Sequence, residues 1–181
     1  MDPAAHRRQR CLDRTEAIAA IARLSRHTLE LVEQPVAADD LAALARVRRA
    51  ASVPIAADES VRTMDDARRI IALGAADALV IKPMVCGGLA PGRAILDLAA
   101  ASGLAAFVTT TIDFAPGIAG ALALSRAMAQ SPTLHNGLAT ATLLESTLSH
   151  DTPLVTDGTM AVPQAPGLGV TLDPTLVQHF A

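Results

Sequence analysis

Apolar residues in this chain fall into short, nearly continuous runs, separated by longer stretches in which they recur every three or four positions. The runs occupy residues 29–32, 53–57, 78–81 and 104–108, and the periodic stretches occupy 39–50, 63–73, 89–101 and 116–130. Runs of that length that are near-continuously apolar predict strands buried on both faces. The periodic stretches predict amphipathic helices, entered at Asp39, at the Thr63–Asp66 pair and at Pro116. Strands and helices alternating in this way predict βα units around a parallel sheet.

The polar residues that close the runs share one phase. Glu33, Asp58, Lys82 and Thr109 follow one another at intervals of 25, 24 and 27 residues, about the length of one strand, one helix and two loops. Each alone reads equally well as a capping or loop residue. In phase, they place two acids, an amine and a hydroxyl on the C-terminal rim of a parallel sheet, the edge where such folds bind ligands. Four strands are clear, and residues 137–144 are a candidate for one more, leading into a short helix. A full (β/α)₈ barrel takes roughly 250 residues, so the 181 residues here predict an α/β fold that is a partial (β/α) barrel. Residues 1–13 are expected to be a poorly ordered leader, 14–150 the partial barrel, and 151–181 an irregular closing segment. Prolines and glycines cut the last of these into turns, with room for one or two short strands.

Composition narrows the function. A net charge of −3 and 2% aromatic residues disfavour nucleic-acid binding. No apolar stretch is long enough to span a membrane, and the Arg-rich start has no apolar segment behind it, so a cytoplasmic protein is expected. Cys11 and Cys86 form no disulfide or zinc pattern. Of 15 basic residues only Lys82 is a lysine. An amine can lose its proton when desolvated and a guanidinium cannot, so this one lysine, on the rim, is a candidate catalytic group. Glu33 and Asp58 on neighbouring strands make a hard-oxygen pair suited to Mg²⁺. Lys82 beside them can act as acid or base, or as a fixed cation next to a developing anion. Proton abstraction next to a carboxylate is the chemistry that suits this set.

The strings Glu33-Gln34-Pro35, Asp58-Glu59-Ser60 and Lys82-Pro83, then Gly87-Gly88, and the tail Asp157-Gly158 through Pro166-Gly167-Leu168-Gly169, resemble the muconate-lactonizing branch of the enolase superfamily. Enolase-type sites set a Lys or His base beside Mg²⁺. Lys82-Pro83-Met84 and Thr109-Thr110-Thr111-Ile112-Asp113 are most similar to the o-succinylbenzoate synthase family of menaquinone biosynthesis. The resemblance implies roughly the C-terminal half of a TIM-like barrel. It implies Glu33 and Asp58 as two of three Mg²⁺ ligands, with Glu59 supporting them. Lys82 would stabilise an anionic intermediate, and Thr109, Thr110, Thr111, Gly87 and Gly88 would lie near a small carboxylate substrate. The implied reaction is dehydration of 2-succinyl-6-hydroxy-2,4-cyclohexadiene-1-carboxylate to 2-succinylbenzoate.

Three parts of the family pattern are missing from these residues. The first metal ligand would fall near Arg7, where no acid stands; the catalytic Lys-x-Lys pair has no counterpart; and these 181 residues include no capping domain. Groups that act as a unit fail together, so little turnover is expected from the chain alone. Completion by a second copy or by an N-terminal half in trans is one expectation. A non-catalytic remnant, and a racemase or cycloisomerase of the same branch, are the alternatives. The five histidines show no regular spacing, and Ser149-His150-Asp151 are adjacent, which a catalytic triad is not. Gly87-Gly88 reads either as a tight turn or as the start of a helix aimed at a carboxylate.

Overall fold

The computed structural model describes residues 12–128 and 134–180. Four parallel strands, β1 (Val32–Glu33), β2 (Ile55–Ala57), β3 (Ala78–Ile81) and β4 (Ala105–Val108), lie side by side in chain order. Single parallel bridges extend the sheet at each side, Leu12 to Val36 beyond β1 and Thr109 to Gly137 beyond β4. Helices α1 (Arg14–Leu24), α2 (Leu41–Ala50), α3 (Met64–Leu73), α5 (Leu89–Ala101) and α6 (Ala115–Arg126) form the connections, with a single turn, α4 (Pro83–Cys86), directly after β3. The result is the partial barrel that the alternation predicts.

Period-two placement sorts each strand's residues between two apolar layers. Ile55, Ala57, Leu79, Ile81 and Val108 pack among Leu44, Val47, Ile70, Ile95 and Leu122 of the helices. Ala56, Ala78, Val80 and Phe107 gather on the other face with Leu31, Ala105 and Leu134. Burial on both sides is why the runs carry no polar alternation. β1 is displaced from the expected 29–32 to Val32–Glu33, so Glu33 lies within the strand rather than after it. β2 starts only at Ile55, because Pro54 has no N–H to donate; its carbonyl instead accepts the Val32 N–H at 2.9 Å.

The helix ends follow local chemistry. Thr63 and Asp66 form a reciprocal capping box on α3, and Gly74, at φ 57°, closes that helix in the left-handed region. Asp40, not Asp39, caps α2 through the Ala43 N–H at 2.8 Å. Asp13 and Glu16 cap α1 reciprocally, and Leu12 bridges to Val36. These two residues of the expected disordered leader are therefore part of the fold, and residues 1–11 lie outside the described ones. In 137–144 the sheet gains only the Gly137 bridge, before a 3₁₀ turn at Ala141–Leu143. The expected short strands of the tail are β5 (Val155–Thr156) and β6 (Thr159–Met160), paired antiparallel. The tail also ends in a helix, α7 (Pro174–Phe180), which the turn-rich composition concealed. Asp173 anchors its start: bonds from the Thr175 hydroxyl and amide hold that carboxyl down at about 2.

At the opposite end of the sheet from the rim, Asp77 ties four segments together. Its carboxylate accepts from Arg48 Nε at 2.8 Å and from the Ile55 amide at 2.9 Å, while Arg48 also donates to the Gly74 carbonyl at 3.1 Å. Each partner of the ion pair is about one-third exposed (36% and 35%), which screens the charge attraction. The hydrogen bonds survive that screening, so Asp77→Ala is expected to lower stability by about 1–2 kcal/mol. Urea unfolding checks this, and a change below about 0.5 kcal/mol would show that the latch contributes nothing beyond an ordinary surface pair.

Candidate metal and acid–base site

The parallel register brings three of the four phased residues into contact. Glu33 pairs in the ladder with Ala56, and Ala57 with Leu79, so Asp58 leaves β2 two residues beyond the rung of Glu33 and Lys82 leaves β3 two residues beyond that of Asp58, a stepped row along one rim. Lys82 Nζ donates to both carboxylate oxygens of Asp58, which is 4% exposed; the lysine side chain is 21% exposed. The Glu33 carboxyl lies close enough to Asp58 for the two to interact.

Glu33 carries the strain of this crowding. The residue as a whole is exposed, yet its carboxyl end is drawn in against Asp58. Desolvation, then hydrogen bonding and charge from Asp58, push its pKa up to about 7; Lys82 pulls the other way and Glu59 adds a smaller upward push. Two carboxyls sharing a site resist double ionisation unless a cation lies between them.

That donor set fits Mg²⁺. Among the described residues no third His, Cys, Asp or Glu joins the pair, but Mg²⁺ is commonly held by one or two carboxylates and keeps several waters. Glu33 and Asp58 would hold it. Lys82 already occupies both oxygens of Asp58, so a cation and the ammonium compete for that carboxylate.

The remaining predicted residues are arranged differently. Glu59 is exposed, next to the pair. The Thr109 Oγ1 is buried with no partner among the described residues. Thr110 bonds to the Gly137 carbonyl at 3.2 Å and to Thr140 at 2.9 Å, and Thr111 donates to Asp113. The hydroxyls of Thr110 and Thr111 are thus engaged by their own chain. Gly87 and Gly88, at φ 93° and 116°, turn the chain from α4 into α5, and space is open beside Gly88. Burial pushes the Cys86 thiol up and leaves it unreactive. His150 bonds to Asp173 at 2.9 Å while Ser149 bonds to Asp151, so these residues form no triad.

Two residues at the rim escaped the sequence reading. Asp113 is 6% exposed, and its Oδ2 is without a partner among the described residues. Gln34 reaches from the end of β1 into the Asp58 loop. The signal for Gln34 was an amide side chain held between a rim carboxylate and a proline, and for Asp113 an acid four residues before a glycine of α6.

Residues 5–176 match the family model described as enolase C-terminal domain-like. Over 170 residues the chain is 34% identical to muconate cycloisomerase 1 of Rhodococcus opacus, covering 93% of this chain and 45% of that one. It is 41% identical over 146 residues to the o-succinylbenzoate synthase of Thermobifida fusca, covering 81% of this chain and 44% of the relative. The solved muconate lactonizing enzyme of Pseudomonas putida superposes with a TM-score of 0.87 at 27% identity, over 93% of this chain and 47% of that one. The chain spans about half the length of the relatives it matches. Among the described residues no helix is long and apolar enough to cross a membrane. A parallel half barrel with two carboxylates and a lysine on its rim, matched over nearly its whole length, belongs to the enolase C-terminal domain-like family.

Proposed function

We propose that this chain carries the lysine-bearing, Mg²⁺-binding half of an o-succinylbenzoate synthase site, for dehydration of 2-succinyl-6-hydroxy-2,4-cyclohexadiene-1-carboxylate. The observation that carries this reading is the contact of Glu33, Asp58 and Lys82 on three neighbouring strand ends. Glu33 and Asp58 would together hold one cation. When bound, Mg²⁺ supplies positive charge beside a substrate carboxylate whose α-proton is to leave. Lys82 adds a second fixed charge, at the position where negative charge develops on the ring. Asp58 holds its ammonium in place, and Glu59 adds to the negative field that draws cations to the rim.

Removal of the proton needs a base, and Lys82 is the only lysine of this sequence. A complementary half barrel would supply it. Among the described residues the sheet continues beyond β1 and β4 by one bridge each, and backbone donors and acceptors there would be open to added strands. The longer match to muconate cycloisomerase 1 favours lactonisation of a muconate as the second reading.

Calorimetric titration with Mn²⁺, followed by dehydration assays with and without a co-expressed N-terminal half of the Thermobifida fusca synthase, tests the proposal. Mn²⁺ binding is expected without turnover by the chain alone, and turnover when the halves are combined. Binding should strengthen as pH rises to about 7 and level off above, because the proton on Glu33 must leave before a cation enters. Muconate lactonisation by the combined halves would establish the second reading. A folded chain that binds no Mn²⁺ and stays silent in both assays would be a non-catalytic remnant.

A further inference from the structure

Gln34 adopts φ 38°, in the left-handed region that residues with a side chain rarely enter. The proline that follows restricts it further. Its backbone still completes the ladder, donating to the Ala56 carbonyl at 2.9 Å. The turn sends its half-buried side chain across to the neighbouring strand end. There Oε1 accepts from the Asp58 amide at 2.9 Å and from the Ser60 amide at 3.3 Å, while Nε2 donates to the Val36 carbonyl at 3.1 Å. Ser60 Oγ, bonded to the Ala38 carbonyl at 2.8 Å, makes a second tie between the same two loops. A residue kept in an unfavourable conformation by three side-chain bonds marks a place where the surroundings over-determine the geometry.

The consequence concerns the two carboxylates. Glu33 immediately precedes Gln34, and Asp58 is the residue whose amide Gln34 captures. One side chain thus fixes the β2 exit relative to the β1 exit, against the repulsion of two adjoining carboxyls. We propose that Gln34 is a positioning residue that sets the separation of Glu33 and Asp58, and with it the affinity of the rim for a divalent cation. The inference rests on those two carboxylates being the cation-binding pair of the proposed function. Outer groups that orient ligands typically change metal affinity by about 10–100-fold when removed.

Gln34→Gly separates positioning from folding. Glycine enters φ 38° without strain, so the variant relieves one unfavourable contribution while losing the three bonds, and the two effects oppose each other in stability. Its thermal midpoint is expected to stay within about 2 °C of the parent. Its Mn²⁺ affinity is expected to fall at least about tenfold, and hydrogen exchange at the Asp58 and Ser60 amides to accelerate by a similar factor without added metal. Gln34→Glu keeps the acceptor and should retain the protection of those two amides.

Unchanged Mn²⁺ affinity and unchanged exchange in Gln34→Gly would overturn the proposal. So would a large drop in midpoint with faster exchange across all four strands, which is the signature of a residue that only supports the fold. A parent chain that binds no Mn²⁺ would overturn the metal reading instead. Exchange at the Asp58 and Ser60 amides would then decide by itself whether Gln34 positions that loop.

Discussion

Replacing Lys82 by alanine is expected to lower stability by about 3 kcal/mol near pH 7, before any substrate or metal is considered. The ammonium bonds to both oxygens of a carboxylate that is 4% exposed, so its removal leaves Asp58 buried beside Glu33 with no cation in contact. Breaking a buried pair by deleting one partner typically costs about 3–5 kcal/mol. The 21% exposure of the lysine side chain lets some water in and places the expectation at the lower end. For a chain of this size that corresponds to roughly 6–12 °C in midpoint. Lys82 also lowers the pKa of Glu33, so its loss should drive that group above about 7 and keep it protonated at neutral pH. Thermal unfolding of three variants isolates the cause: Lys82→Ala, Asp58→Asn, and the two combined. Recovery of most of the loss in the double variant would assign it to the uncompensated charge. A double variant as unstable as Lys82→Ala would assign it to lost packing of the lysine stem. The same ion pair governs activity assays, because a silent Lys82→Ala sample has to be shown folded before its silence is read as lost chemistry.

The ion pair was half legible from the sequence. The intervals of 25, 24 and 27 residues placed Glu33, Asp58, Lys82 and Thr109 on one rim because strand, helix and loop lengths repeat, and a parallel register preserves that phase. Strands 78–81 and 104–108 were found nearly to the residue, since apolar runs flanked by polar ends have few competing readings. Periodicity does not convey which polar groups find one another. Thr110 and Thr111 looked available, and the chain itself uses their hydroxyls through Gly137, Thr140 and Asp113. Gln34 stood only within the Glu33-Gln34-Pro35 string, because its partners, Asp58 and Ser60, lie about one βα unit away. The first strand was placed three residues early for a related reason. Residues 29–31 are apolar enough for a strand, but pairing starts at Val32, opposite Ile55, once Pro54 has ended its neighbour's ladder. Local pattern chose the elements, and contacts between units chose their ends and their partners.

Gly117→Ala and Gly120→Ala, three residues apart on α6, are expected to change stability in opposite directions, and the gap between them tests how tightly the Thr109–Asp113 rim is packed. Both glycines are helical, and an alanine in a helix is favoured over glycine by about 1 kcal/mol. A methyl group at position 120 would meet only the end of the Leu89 side chain at 3.4 Å and of Leu168 at 4.0 Å, ordinary contacts, so Gly120→Ala should gain about 0.5–1 kcal/mol. At position 117 the methyl would lie 2.7 Å from Asp113 Cβ and 3.1 Å from its Cγ. Cβ is the root of that side chain, not a flexible tip, so relief requires the backbone at Asp113 to move. Forced overpacking costs about 1–3 kcal/mol and outweighs the gain in helix propensity. A gap of about 2 kcal/mol between the two variants is expected, read as roughly 4–8 °C in parallel melts. Asp113 is the acceptor of the Thr111 hydroxyl and presents a buried oxygen without a partner among the described residues, so its displacement carries the rim loop with it. Equal midpoints for the two variants would mean that the loop after β4 yields without cost. The rim would then be fixed only on the side of β1 to β3, where Gln34, Asp58 and Lys82 bind the strand ends to one another.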